Sequence, residues 1–253
     1  MPFHLLAYTK LDTAGATNED IPGVTDNFAS LQNNHYILQN DTNLMAAYAR
    51  NAGLTNARIN TPHFRAVSIP SVRPVNVTAA VPTLPPYEWL YPSRLLVPRI
   101  DEVAFEASNG GGGGVRTVGG IWVSSIDHTL NIPPGNRYKL RFTVTIAATA
   151  FVWTAGAFTL DQSLPAGNYT VIGMDVFGVT TEFARLSFLG GGMRPGVLTQ
   201  LTVGAYDNRL TFQDGNAGVY GTFANTAQPN LEVFATATAS IAYTGWLDVV
   251  KTG

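Results

Sequence analysis

Cysteine is absent from the 253 residues. Without a thiol there is no disulfide, no thiolate metal site and no cysteine nucleophile, so stability rests on the core and its contacts. Lysine is scarce: Lys10, Lys139 and Lys251 are all there are. The arginines are scattered, and no basic run exists to hold a phosphate backbone. Direct, sequence-specific nucleic-acid binding is therefore not expected. Charged residues make up only 13% of the chain, against about 25% in an ordinary globular protein. A surface so poor in charge is covered by subunit contacts, or is built from Thr, Asn, Gln and Ser. No apolar stretch reaches membrane-spanning length. The longest apolar-leaning run, residues 145–156, reads as a buried strand and its turn. The opening MPFHLLAYTKLDTAG has no basic region followed by an apolar core, so it does not read as a signal peptide.

Catalytic patterns are missing as well. His4, His35, His63 and His128 lie far apart, and no His-x-His or His-Glu-x-x-His spacing occurs. Asp127-His128 is the one adjacent acid–base pair, and such a pair in a loop is usually solvated. There is no Gly-x-Ser-x-Gly elbow. Asp101, Glu102, Glu106, Asp161, Asp175, Glu182 and Asp248 fall near strands, but the sequence does not pair any two of them across a cleft as glycosidase chemistry requires. Trp89, Trp122, Trp153 and Trp246 could build a lectin-like face, although a Trp in a β-rich core is the commoner case. The five glycines at 110–114 lack the Lys-Ser/Thr of a phosphate loop, and no helix pattern follows. They read as an exposed, mobile loop without a ligand. Asn40, Asn76 and Asn168 begin Asn-x-Thr triplets, which matter only in a secretory pathway. The expectation is a protein with no catalytic residues, no metal and no cofactor, and not an enzyme.

What the chain does have is antiparallel β grammar. Residues 156–192, GAFTLDQSLPAGNYTVIGMDVFGVTTEFARLSFLGGG, hold three strand-like runs. Pro165 and Gly167 supply one turn, and Gly178 and Gly190-Gly191-Gly192 close two more. Ile172, Met174 and Val176 alternate with Val171, Gly173 and Asp175, which puts the first set on the core face. On the next strand Ala184, Leu186 and Phe188 are the expected core face, opposite Phe183, Arg185 and Ser187. From residue 99 onward, eight or nine strands follow at roughly ten-residue spacing, a count that fits an eight-stranded jelly roll.

The first hundred residues are less regular. Residues 3–9 form a possible strand, and 12–34 a long polar loop. A helix is expected over residues 41–53. Asp41 or Thr42 would cap it, Leu44, Ala47, Tyr48 and Ala52 would share a face, and Gly53 would end it. Residues 54–98 carry eight prolines, which exclude central strands. The aromatic cluster Tyr87, Trp89, Leu90 and Tyr91 lies within this stretch. It is the candidate subunit interface, because such residues anchor interfaces and a Pro-rich segment must satisfy its backbone on other surface. The expected organisation is an N-terminal arm, 1–94, and a jelly-roll β-sandwich, 95–253. The alternative architecture is a double jelly roll, with the first 107 residues forming a smaller, irregular barrel.

The segment SLPAGNYTVIGMDVFGVTTEFARLSFLGGGMRPGVLTQ, with the later GVYGTFANTAQPNLEVFATA and YTGWLDVVKTG, resembles jelly-roll major capsid proteins of icosahedral viruses or phages. So does NDTNLMAAYARNAGLTNARINTPHFRAVSIPSVRPV, read as a short helix and an extended arm. The resemblance implies a structural virion protein that self-assembles as homo-oligomeric rings or trimers within a closed shell. It implies other virion proteins as partners, assembly in the host cytoplasm, and no active site. The chain departs from many such coats in lacking a basic N-terminal arm, which favours a shell around an internal membrane or a separately condensed genome. The alternative function is a carbohydrate-binding jelly-roll module of a virion spike or fibre.

Overall fold

The computed structural model describes residues 3–26, 29–51, 53–65, 71–72, 88–89, 95–114, 116–124, 133–191, 194–199 and 219–253. The described chain is all-β and antiparallel, with a single helical turn, α1 (Pro62–Arg65). It divides into two compact units, Leu6–Ile126 and Met1–Leu5 with Asp127–Gly253.

The first unit contains β1 (Phe3–Leu11, from Leu6 onward), β2 (Glu19–Ile21), β3 (Ser30–Gln32), β4 (His35–Ile37), β5 (Thr42–Arg50) and β6 (Leu54–Asn60). It continues with β7 (Ser71–Val72), β8 (Glu88–Trp89), β9 (Leu95–Val97), β10 (Glu102–Asn109) and β11 (Arg116–Ser124). One sheet runs β1-β11-β5-β8, with β9 also on β5; the other runs β3-β4-β10-β6-β7, with β2 also on β10. β2 and β4 are two halves of one strand position, and so are β8 and β9. With β3 set aside as a short strand on the outer side of β4, eight positions remain in chain order. The first, eighth, third and sixth make one sheet; the second, seventh, fourth and fifth make the other. That order is a jelly roll.

The second unit repeats it. Its strands are β12 (Arg137–Ala148), β13 (Trp153–Ala157), β14 (Thr159–Leu160), β15 (Asn168–Phe177), β16 (Thr181–Ser187), β17 (Gly196–Leu198), β18 (Gly221–Ala224), β19 (Asn230–Ala235) and β20 (Ala239–Lys251). The sheets run β14-β12-β20-β15-β18 and β13-β19-β16-β17. With β14 set aside as a short return strand on β12, the same eight-position order appears. The jelly-roll class expected from the sequence therefore holds, in its double form. From Leu6 onward the described residues among the first hundred belong to a jelly roll of their own, and the two units divide at Asp127, where a division at residue 95 was expected.

The helix expected over 41–53 is strand β5. Its residues Thr42 to Ala49 are all buried, so hydrophobic periodicity has no polar face against which to register. The pairing with β11 slips between Trp122 and Val123: Leu44 pairs with Val123 and Ala46 with Trp122, leaving Met45 as the extra residue. A bulge of this kind puts Leu44, Ala47 and Ala49 into one core, and the three-residue step from 44 to 47 imitates helical spacing. Gly53 lies in the tight corner between β5 and β6, not at a helix end. Pro98 directly follows β9, and β7 and β8 lie at the ends of their sheets. A missing N–H is tolerated there. The backbone of 71–72, 88–89 and 95–97 thus pairs on one side within the chain's own sheets.

The core of the first jelly roll is built on Tyr8, Tyr36, Phe105, Ile59, Ile121 and Val103. Tyr8 meets Tyr36 edge-on at 5.2 Å and stacks on Phe105 at 5.3 Å. The Tyr8 hydroxyl donates to the Val103 carbonyl at 3.0 Å, so its burial leaves no orphaned group. Burying one such ring contributes about 1.5–3 kcal/mol. In the second jelly roll Met174 pairs with Leu247, and Leu247 with Leu140, a continuous apolar row. The β15–β20 register shifts between Val171 and Gly173. Val171 therefore shares the Met174 and Val176 face, and Ile172, expected there, is the bulge residue with no register partner. On β16, Ala184 and Leu186 pair with Val233 and Leu231, and Leu231 pairs with Gly156. A Cβ at Gly156 would press on Ile146 and Val144 of the facing sheet, so this is the core face, as the alternation implies.

Candidate assembly surface

Of the expected interface residues, Tyr87, Leu90 and Tyr91 lie outside the described residues. Trp89 is placed by its backbone: it pairs with Ala46 on β5, at the edge of its sheet.

One exposed face lies on the second jelly roll. β12 alternates strictly: Leu140, Phe142, Ile146 and Ala148 are buried, while Arg137, Lys139, Arg141, Thr143, Thr145 and Ala147 are exposed. The exposed set continues across β20 through Thr143↔Thr244, Thr145↔Ala242 and Ala147↔Ser240. Half of this face is small and uncharged. The other half carries Arg141 on Asp161 at 2.6 Å and Lys139 on Asp248 at 3.6 Å and Asp175 at 3.9 Å. The uncharged half suits the centre of a protein–protein contact, which is depleted in charge, and the paired charges of the other half suit its rim. This face is not among the candidate surfaces of the sequence. The signal was present in the period-2 alternation of residues 137–148.

Exposed apolar side chains also mark the loop end of the second jelly roll, with Val152 at 49% and Val179 at 56%. Their loops are tied together. The Phe151 N–H donates to the Ala235 carbonyl at 2.8 Å, and the Thr236 N–H to the Thr180 carbonyl at 2.7 Å. Phe151 and Thr180 both have positive φ, 59° and 49°.

The residues weighed for chemistry are tied into structural pairs. Glu102 holds His35, Glu106 holds Arg58, Asp161 holds Arg141, and Asp175 and Asp248 share Lys139. Buried His4 accepts the Arg194 N–H at 2.9 Å. Asp127 and His128 lie outside the described residues. Among the described residues no three His, Asp or Glu side chains gather closely enough to hold a metal ion.

Two buried polar clusters went unseen in the sequence. In the second unit Arg185, 2% exposed, donates from Nε to Glu232 at 2.6 Å and stacks on Trp153 at 3.8 Å. Glu232 also accepts from Arg194 at 3.1 Å. In the first unit Asp12, 6% exposed, accepts from Thr117 at 2.6 Å, from Asn109 at 3.3 Å, and from Asn51. Asn109 in turn accepts the Gly111 N–H at 2.9 Å, and the Gly110 N–H donates to the Gly53 carbonyl at 3.0 Å. The five-glycine loop is exposed, as expected, but its base is fastened to this cluster.

No protein-family model matches the chain. No curated protein matches it in sequence. Solved structures that overlap it include a chain from the atomic structure of Sulfolobus Turreted Icosahedral Virus, at 12% identity over 99% of this chain and 79% of that one, with a TM-score of 0.24. A chain described with the triple jelly roll fold and turret assembly of an archaeal virus overlaps at 12% identity, over 99% and 80%, with a TM-score of 0.23. At scores this low the overlap defines neither topology nor function.

Proposed function

We propose that this protein is a structural coat subunit of a virion, which self-assembles as rings or trimers within a closed icosahedral shell and carries no catalysis. The observation that carries the reading is the strand order: one chain holds two complete jelly rolls. Such sandwiches are rigid tiles, because each pairs its strands into two facing sheets and blunts the edges with short strands. The uncharged half of the outer face, Thr143, Thr145 and Ala147 with their β20 partners, supplies a surface that can be covered at little desolvation cost. Trp89, on an edge strand, is where a neighbour arriving edge-on would meet the first jelly roll, and Tyr87, Leu90 and Tyr91 complete the proposed contact. The other proposed partners are further virion proteins and an internal membrane.

Sedimentation of the purified chain tests this. A coat subunit sediments as discrete oligomers or particles. A stable monomer or dimer that binds glycans would instead identify a spike or fibre module. The Trp89→Ala, Tyr91→Ala double variant tests the contact itself: it should keep a normal β spectrum and sediment as monomer or small oligomer. Unfolding would place the cluster in the chain's own core, and intact assembly would remove it from the interface.

A further inference from the structure

The second strand position of the first jelly roll is split. β2 joins β10 through three residue pairs and β4 through two. So short a pairing holds a strand weakly, and one side chain bridges the pieces. His35 on β4 places Nε2 at 3.0 Å from Asp20 Oδ1 on β2, and Nδ1 at 3.1 Å from Glu102 Oε2 on β10. The His35 side chain is 17% exposed.

A neutral imidazole has one N–H donor and one bare nitrogen, whereas an ionised carboxylate only accepts. With carboxylate oxygens at both nitrogens, a neutral ring would point a lone pair at one of them. The doubly protonated ring satisfies both. We propose that His35 is a proton-dependent clamp, which fastens β2 and β4 to β10 while the ring is charged and releases one of them when it gives up a proton.

The surrounding charges favour the proton. Glu106 stands opposite Asp20 in the ladder and is held by Arg58 at 2.5 Å and by Asn60. Lys10 donates to the Asp20 carbonyl at 3.1 Å but pairs its charge with Glu19 at 2.9 Å. Asp101 accepts the Glu102 N–H at 3.1 Å and the His63 N–H at 3.3 Å. Carboxylates thus outnumber cations around the ring. Partial burial works against the charged ring, yet the hydrogen bond to Glu102 and the Asp20 charge outweigh it and raise its pKa above 6.5. A raised histidine pKa gives stability that is complete in acid and lost as pH rises through the folded value. The clamp belongs to the first jelly roll alone, whatever the chain assembles into.

The test is an NMR titration of the His35 ring in the intact protein, with amide-exchange protection of β2 and β4 followed over the same range. The expected midpoint lies above the ordinary value of about 6.5, and both Glu102→Gln and Asp20→Asn lower it. Protection of one of the two strands should fall as the ring deprotonates, by up to about tenfold per unit of raised midpoint, and both should stay level in His35→Gln. A midpoint at or below 6.5, or strands indifferent to the titration, would overturn the proposal. The wild-type titration decides the matter even if a variant fails to fold.

Discussion

Arg185 and Asp12 show how this chain keeps charge inside a β-sandwich. Arg185 is buried against Glu232 and the face of Trp153. Arg185→Ala would leave Glu232 with Arg194 alone, and breaking a buried pair costs about 3–5 kcal/mol. The loss should appear as a lower urea midpoint at neutral pH. Asp12 carries the opposite problem. Burial raises its pKa above 3.8, hydrogen bonds from Thr117 and Asn51 oppose the rise, and the Glu19 charge adds to it. The folded state therefore holds this proton more tightly than the unfolded chain. The stability it contributes is complete below about 3.8 and lost as pH rises through the folded value. Asp12→Asn keeps an acceptor without the charge, and should flatten that slope while staying within about 1 kcal/mol of wild type at pH 7. Asp12→Ala strands three donors and should cost about 1–3 kcal/mol. Thermal melts between pH 3 and 7, on the order of one per half unit, separate the two outcomes.

At the scale of elements, the second jelly roll was legible because its strands alternate and its turns carry Pro165, Gly167 and Gly178. The first was legible only in part. β5 is buried on both faces, so its apolar run has no period, and its bulge at Met45 supplies a three-residue step that reads as helix. The same device hid the true face of Ile172. Short edge strands between prolines carry too few residues to show alternation, which is why β7, β8 and β9 looked like an arm. The Asp12 cluster was invisible because its members come from residues 12, 51, 109 and 117. This cluster also revises the expectation for the glycine loop. A Cβ at Gly112 meets nothing within 4 Å, whereas one at Gly53 would run into the Asn109 side-chain oxygen. Gly112→Ala should shift stability by less than about 0.5 kcal/mol, and Gly53→Ala should cost about 1–3 kcal/mol. Equal effects in chemical denaturation would mean that the loop base is not fastened as described.

At the scale of the whole molecule, the repeated strand order within one chain supports the coat reading. Each unit has its own pair of sheets, and the uncharged half of the β12–β20 face is the surface a neighbour would cover. Arg in place of Thr143 and Thr145 keeps the fold, since both side chains point outward, but sets like charges against an incoming subunit. Electron micrographs of the purified protein test the central claim most directly. The account expects wild type to form uniform rings, trimers or closed shells, and the Thr143→Arg, Thr145→Arg variant to form fewer of them while keeping a normal melt. A field of isolated monomers at every protein concentration and ionic strength would contradict it.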